Sequence, residues 1–380
     1  MLRYGRHSAS LPADMLQFSQ DKKPVVVWNM TRRCNLKCVH CYAQARDAAA
    51  PDGISTIQAK NIIDDLAAFG APVLLFSGGE PLLREDLAEL ARHAAARGMR
   101  AVISTNGTLI TKEKAGELKG AGLSYVGISL DGGMEVHDRF RAVPGAFRQA
   151  VRGIELCREE GLKVGLRFTI NRRNADQAPV LFDLLRDMDI PRICFYHLVY
   201  SGRGSALMRE DLNHAETRAV VDLICDRTRA MFDAGLYKEV LTVDNHADGP
   251  YIWLRLLREN PERAAKAYEL LQFNEGNSSG RGIGCISWDG SVHADQFWRN
   301  HVFGNVLERP FSEIWTDPAI EILAKLKDKQ RHVKGRCASC RFLAVCGGNF
   351  RARAEAWHGD IWAEDPACYL TDAEIRDIPV

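Results

Sequence analysis

From Val25 onward the chain alternates two patterns. Six short, mostly apolar runs predict strands: Val25-Val26-Val27-Trp28-Asn29-Met30, Val73-Leu74-Leu75-Phe76, Ala101-Val102-Ile103-Ser104, Tyr125-Val126-Gly127-Ile128-Ser129, Val164-Gly165-Leu166-Arg167-Phe168 and Ile193-Cys194-Phe195-Tyr196. Between them, Ile57 to Phe69, Leu87 to Arg97, Phe147 to Glu160 and Ala178 to Met188 place apolar residues at helical spacing. Strands apolar on both faces and separated by helices imply a parallel sheet with the helices packed outside it. Right-handed connections would curl six such repeats into an open or closed barrel.

Chemistry in such a barrel collects at the carboxyl ends of the strands. The polar residues fall there. Cys34, Cys38 and Cys41 follow the first strand, Gly78-Gly79-Glu80 ends the second, Ser104-Thr105-Asn106-Gly107 the third and Ser129-Leu130-Asp131-Gly132 the fourth. Arg167 lies within the fifth, and Tyr196-His197 comes late in the sixth. Cysteines at intervals of four and three can wrap three irons of a cubic four-iron cluster and leave the fourth iron open. An open position marks a catalytic rather than a structural metal site. A zinc knuckle would need a fourth ligand close by, and His40, between two of the cysteines in the same tight loop, is poorly placed to be one. An odd local cysteine count without a secretory signal disfavours a disulfide framework.

Cys34-x3-Cys38-x2-Cys41 followed by Tyr42, with Gly78-Gly79-Glu80-Pro81 downstream, resembles the radical S-adenosylmethionine (SAM) enzymes. The resemblance implies an α/β partial (β/α)6 barrel in which the open iron is chelated by the amino and carboxylate groups of SAM. An electron from the cluster then splits the sulfonium, so the cofactors carry the hard chemistry. It also gives the arc of polar residues its expected uses. Gly78 and Gly79 would let the backbone approach the SAM amine, and Glu80 would accept a hydrogen bond from it. Ser104, Asn106 and Ser129 would bond ribose hydroxyls, Arg167 would match the methionyl carboxylate, and Tyr42 would face the adenine. Asp131 is placed in the same set, although an Asp before a helix also serves as a cap or turn residue. Ordinary turn chemistry is the competing account of Asn106, Gly107 and Gly132.

Further along, Ala215 to Ala234 is strongly helical, and residues 237–282 read as an irregular bridge with a helical part from Pro261 to Phe273. The chain thus divides into a lead-in (1–24), a barrel (25–236), the bridge (237–282) and a smaller C-terminal domain (283–380). That last part carries Cys337-x2-Cys340-x5-Cys346 and Cys368, a four-thiolate set that suits zinc or a four-iron cluster equally well. It resembles the SPASM/twitch extension of radical SAM enzymes, which implies an auxiliary [4Fe-4S] cluster. The full extension holds two such clusters. Here Asn349-Phe350 stands where a further cysteine is expected, and Cys285 lacks a partner, so one auxiliary cluster is expected with Cys285 a spectator. Cys157, Cys194 and Cys225 read as buried small hydrophobes.

Composition narrows the function classes. A formal net charge of +1 gives no basic excess for nucleic acid. Ala71-Pro72-Val73-Leu74-Leu75-Phe76 is typical of the longest apolar stretches, far short of a membrane span. The first residues lack the apolar core of a signal peptide, so a cytoplasmic protein is expected. Leu2-Arg3-Tyr4-Gly5-Arg6, Pro24 to Arg33 and His293-Ala294-Asp295-Gln296-Phe297-Trp298 are similar to the tetrapyrrole-modifying branch of the radical SAM enzymes. This implies a tetrapyrrole substrate that loses acetate or propionate side chains, and an electron donor such as flavodoxin or ferredoxin. Arg203, Arg281, Arg299 and Arg331 are candidate cations for macrocycle carboxylates. His197, His246, His293 and His301 are candidates to approach its iron.

Overall fold

The computed structural model describes residues 23–46 and 53–376, so Leu2-Arg3-Tyr4-Gly5-Arg6 and nearly all of the lead-in lie outside the described residues. Seven parallel strands pair in chain order: β1 (Val25–Thr31), β2 (Val73–Gly78), β3 (Arg100–Thr105), β4 (Tyr125–Ser129), β5 (Val164–Ile170), β6 (Arg192–His197) and β7 (Glu239–Val243). Registers such as Val26 opposite Leu74 and Val102 opposite Tyr125 bring the carboxyl ends to one rim. Trp28, Phe76, Ile103, Val126, Leu166 and Phe195 are all buried between sheet and helices. Burying side chains on both faces accounts for strands that are nearly continuous apolar runs.

The helices follow from their own sequences. Thr56–Phe69 opens on a capping box in which the Ser55 side chain accepts from Gln58 N and Gln58 reaches back to Ser55 N. It buries Ala59, Ile62, Ile63 and Leu66, spaced along one face. Helix His214–Asp233 opens on the same device, Asn213 with Glu216. Cys157 and Cys225 sit buried on helices Ala146–Glu159 and His214–Asp233, and Cys194 is buried in β6. None of the described helices is long and apolar enough to cross a membrane.

Two features depart from the sequence reading. The bridge is more regular than expected: besides the expected helix, Pro261–Asn274, it supplies β7 and the helix Asp248–Glu259. β7 pairs only with β6 and each of its residues is half-buried, so its sequence lacks the apolar saturation of the inner strands. The C-terminal segment also joins the barrel sheet. β8 (Ile283–Ile286) runs parallel to β1, with Val27 opposite Cys285, and β9 (Ser291–His293) and β10 (Gly304–Asn305) continue antiparallel. The result is a ten-stranded open sheet in the order β10-β9-β8-β1-β2-β3-β4-β5-β6-β7.

A buried ion pair locks the C-terminal segment onto the barrel rim. Arg353, on helix Arg351–His358, donates from Nε and Nη2 to Asp365 at 2.8 and 2.9 Å, and both side chains are fully buried. Its Nη1 donates to Leu198 O just past β6, and Nη2 also donates to Asp244 O just past β7. Removing one partner leaves an uncompensated buried charge. The Arg353→Leu variant is therefore expected to lose about 3–5 kcal/mol of stability, read as a lowered denaturation midpoint against wild type.

Candidate active site

The cysteine loop has no regular structure, and three sets of backbone hydrogen bonds shape it. Cys34 N donates to Arg46 O and Arg46 N to Arg32 O, which closes the base of the loop. Lys37 N and Val39 N donate to Arg141 O and Phe140 O at the end of helix Met134–Arg141. Gly79 N and Glu80 N donate to Thr31 O and Arg33 O at 2.8 Å each. The last pair explains the paired glycines. A Cβ on Gly79 would lie 2.0 Å from Arg33 O, and one on Gly78, at φ +127°, would lie 2.5 Å from Thr31 O. Both glycines line the cavity, and their small size is already required by the chain itself.

Cys34, Cys38 and Cys41 border a solvent-connected cavity at the rim. Burial pushes the Cys34 thiol up to about 12 and also raises that of Cys38, so as bare thiols they resist ionisation. Iron bound there would reverse that preference, because a coordinating metal takes thiolate. Arg141, fully buried at the cavity wall, donates from Nη1 to Cys38 Sγ at 3.5 Å.

Of the remaining expected site residues, Tyr42, Ser104, Asn106, Ser129 and Arg167 line the cavity. Tyr42 lines it, with its hydroxyl bonded to Asn29 Oδ1 and Ser77 Oγ, its ring set edge-on to Phe297 at 4.9 Å between centroids. Ser104, Ser129 and Arg167 line it as well, and the Arg167 guanidinium stacks over Tyr196 at 4.9 Å. Gly127 makes that possible, since a Cβ there would meet Arg167 Cδ at 2.9 Å.

Glu80, Asp131 and Asn106 take other roles. Glu80 is fully buried and does not line the cavity. Its Oε1 accepts from Thr105 Oγ1 at 2.7 Å and from Leu82 N, and its Oε2 from Asn106 N at 2.8 Å. It stitches the end of β2 to the end of β3 instead of standing free for an amine. Asp131, also fully buried and away from the cavity, pairs with Arg141 Nε at 2.7 Å and faces His40 Nε2 at 3.7 Å. Burial alone would raise its carboxyl, but Arg141, His40 and His137 together hold it low. Asp131 therefore orients the guanidinium that meets Cys38. Asn106 borders the cavity, yet its amide is committed: Nδ2 donates to Asn35 Oδ1 and its Oδ1 accepts from Thr108. The sequence reading missed Arg141, which carries no local signal: it is the last residue of helix Met134–Arg141, whose sequence holds no motif.

Among the candidate substrate contacts, Arg203 and His197 line the cavity. Arg203 donates to Cys38 O and Ala45 O and keeps a buried Nη2 unpaired. His197 Nε2 shares a 2.9 Å hydrogen bond with Asp248 Oδ2. The others are engaged elsewhere: Arg281 with Glu275, Arg331 with Asp328, Arg299 over Trp288, His293 with His301 O, and His301 with Glu355. His246 is held through its backbone N by Asn349 Oδ1.

Cys337, Cys340, Cys346 and Cys368 line a second cavity, together with Asn349. Among the described residues no three His, Cys, Asp or Glu side chains are gathered to hold a single metal ion. Four thiols around a shared space fit a larger inorganic cluster. Burial raises all four, Cys368 to about 12. Asn349, at φ +58°, donates to Asn245 Oδ1, so the residue replacing the missing cysteine ties this loop to the barrel. Cys285 is buried in β8, where Asn29 Nδ2 approaches its sulfur at 3.5 Å.

The chain matches the Radical SAM superfamily over residues 28–185 and the SPASM iron-sulfur cluster-binding domain over 279–341. It is 64% identical to Fe-coproporphyrin III synthase of Methanosarcina barkeri over 98% of this chain and 94% of that protein. The chain belongs to the radical SAM superfamily. As a radical SAM enzyme with a SPASM domain it uses a [4Fe-4S] cluster with SAM and an auxiliary cluster. It is also 45% identical to pre-heme d1 synthase of Dinoroseobacter shibae over 93% of this chain and 87% of that protein. Its fold is that of Streptococcus suis SuiB bound to S-adenosylmethionine, with a TM-score of 0.71 at 18% identity over 91% of this chain and 77% of that one.

Because Glu80 satisfies three chain donors, the Glu80→Ala variant should orphan buried N–H and O–H groups. We expect a loss of roughly 1–3 kcal/mol in stability already in the cluster-free protein, measured by denaturation. A variant with wild-type stability and weakened SAM binding alone would instead support a direct contact with the amine.

Proposed function

We propose that this protein is an Fe-coproporphyrin III synthase, a radical SAM enzyme of haem biosynthesis that removes acetate side chains from didecarboxysirohaem. The observation that carries this reading is 64% identity running through 98% of the chain and 94% of a relative with that name, against 45% for pre-heme d1 synthase. Cys34, Cys38 and Cys41 would hold the radical-generating cluster, and Cys337, Cys340, Cys346 and Cys368 the auxiliary one. When bound, the first cluster and SAM supply reductive cleavage of the sulfonium and hence hydrogen abstraction from the substrate.

The chain's own residues bind and orient. Gly78 and Gly79 present backbone close to the cavity, Ser104 and Ser129 offer hydroxyls, and Arg167 offers a planar donor fork for the methionyl carboxylate. Tyr42 and Phe297 give an apolar wall against which the adenine would rest, and shield the cysteine end of the cavity from water. Arg203, with its unpaired buried Nη2, is suited to a further carboxylate. Arg141 and Asp131 support Cys38 rather than the substrate. Electrons would come from a small cytoplasmic donor such as flavodoxin or ferredoxin.

Anaerobic protein incubated with SAM, dithionite and didecarboxysirohaem should yield 5′-deoxyadenosine and a tetrapyrrole whose mass has fallen by the acetate groups. Loss of propionates would make it a pre-haem d1 synthase, and an intact macrocycle beside 5′-deoxyadenosine would sink the assignment. Replacing Cys34, Cys38 and Cys41 by Ala should abolish SAM cleavage and leave about half the iron, as one of two similar clusters is lost. Replacing Cys337 and Cys340 should remove a comparable share of iron while SAM cleavage without substrate persists.

A further inference from the structure

Asp244 is the first residue past β7, and it lines the same cavity as the cysteines. Nothing in the reading above uses it. Its backbone sits at φ +68°, in the left-handed region that Asp enters more readily than most residues. Its carbonyl is held by Arg353, whose Nη2 donates to Asp244 O at 2.8 Å. The side chain is 8% exposed, and its Oδ2 is buried without a hydrogen-bond partner. A native structure rarely leaves such an oxygen orphaned unless a ligand completes it.

The surrounding groups decide what that ligand can be. Five charged or titratable groups face Asp244: Asp295 from the loop after β9, Arg353 from its helix, His197 and Tyr196 from the end of β6 and Arg167 from β5. Three are committed elsewhere, Arg353 to Asp365, His197 to Asp248 and Arg167 over Tyr196. Burial first, and then Asp295, push the Asp244 carboxyl up to about 7. The group offered to the cavity near neutral pH is therefore in large part a carboxylic acid, which donates a hydrogen bond as a carboxylate cannot.

We propose that the Asp244 carboxyl group is a substrate-recognition site, its O–H donating to a side-chain carboxylate of the tetrapyrrole. This rests on the tetrapyrrole reading above. It gives the cavity two chemically different carboxylate holders, a guanidinium at Arg203 and a carboxylic acid at Asp244. The second holds the macrocycle only while it keeps its proton. The sign follows directly: affinity is level below the carboxyl's own pKa of about 7 and falls about tenfold per pH unit above it.

The test is optical titration of the anaerobic holoenzyme with didecarboxysirohaem across that pH range. Wild type should bind more weakly as pH rises. Asp244→Asn keeps a neutral donor of the same shape, so it should bind within a few-fold of wild type at low pH and lose the decline above neutrality. Asp244→Ala should bind roughly tenfold or more weakly at low pH, as expected for a lost bond to a charged acceptor. An Asn variant that retains the wild-type pH profile, or binds as poorly as Ala, would overturn the proposal. So would an Ala variant that binds like wild type. Conversion of didecarboxysirohaem by wild type is followed in parallel, so a failure confined to Asp244 leaves the assigned reaction standing. A wild-type protein that neither binds nor converts it overturns both.

Discussion

The site depends on a loop that cannot shape itself. Residues 34–41 contain neither helix nor strand, so their backbone groups are satisfied by neighbours on three sides: Arg46 at the base, the end of helix Met134–Arg141 on one flank and the Gly78-Gly79 turn on the other. Each neighbour is fixed by the barrel, through β1, the β4-to-helix turn and β2 respectively. Three sulfurs can therefore face one cavity before any iron binds. The close approach of Gly79 to Arg33 O, where a methyl would stand at 2.0 Å, makes that turn intolerant of side chains.

Behind this loop lies a second layer of buried charge. Asp131 holds Arg141, Arg141 meets Cys38, and Glu80 binds the ends of β2 and β3 together. These groups are buried and partnered by the chain, which suits holding a cluster in place rather than contacting what enters the cavity. The arrangement at the C-terminal segment is analogous. Arg353 is shared between Asp365 and the carbonyls past β6 and β7, so the auxiliary cysteine loop and the substrate end of the cavity are set by one guanidinium. Asn349 adds a second tie to the same rim, through Asn245 and His246.

Arg353 also explains why the two halves are hard to treat as separate domains. β8 adds directly to β1, and Gln296 and Phe297, beyond β9, complete the cavity wall. A substrate entering the rim would touch both parts.

The sequence by itself determined the six inner strands, their helices and the cysteine triplet, because each is written in local periodicity and spacing. The seven proposed cysteine ligands, and Tyr42, Ser104, Ser129 and Arg167, are legible for the same reason: they lie at strand ends or in short spaced clusters. What only the tertiary structure decided is which polar groups face the cavity and which face each other. Glu80 and Asp131 look like ligands along the chain, but Thr105 and Asn106 from β3 and its end take up the first, and Arg141 and His40 surround the second. Arg141 and Asp244 carry no local signal, since their meaning comes from partners as much as 109 residues away. The edge strand β7 and the pairing of β8 with β1 were hidden likewise, because hydrogen bonding between remote segments leaves little periodicity in a half-buried or four-residue run.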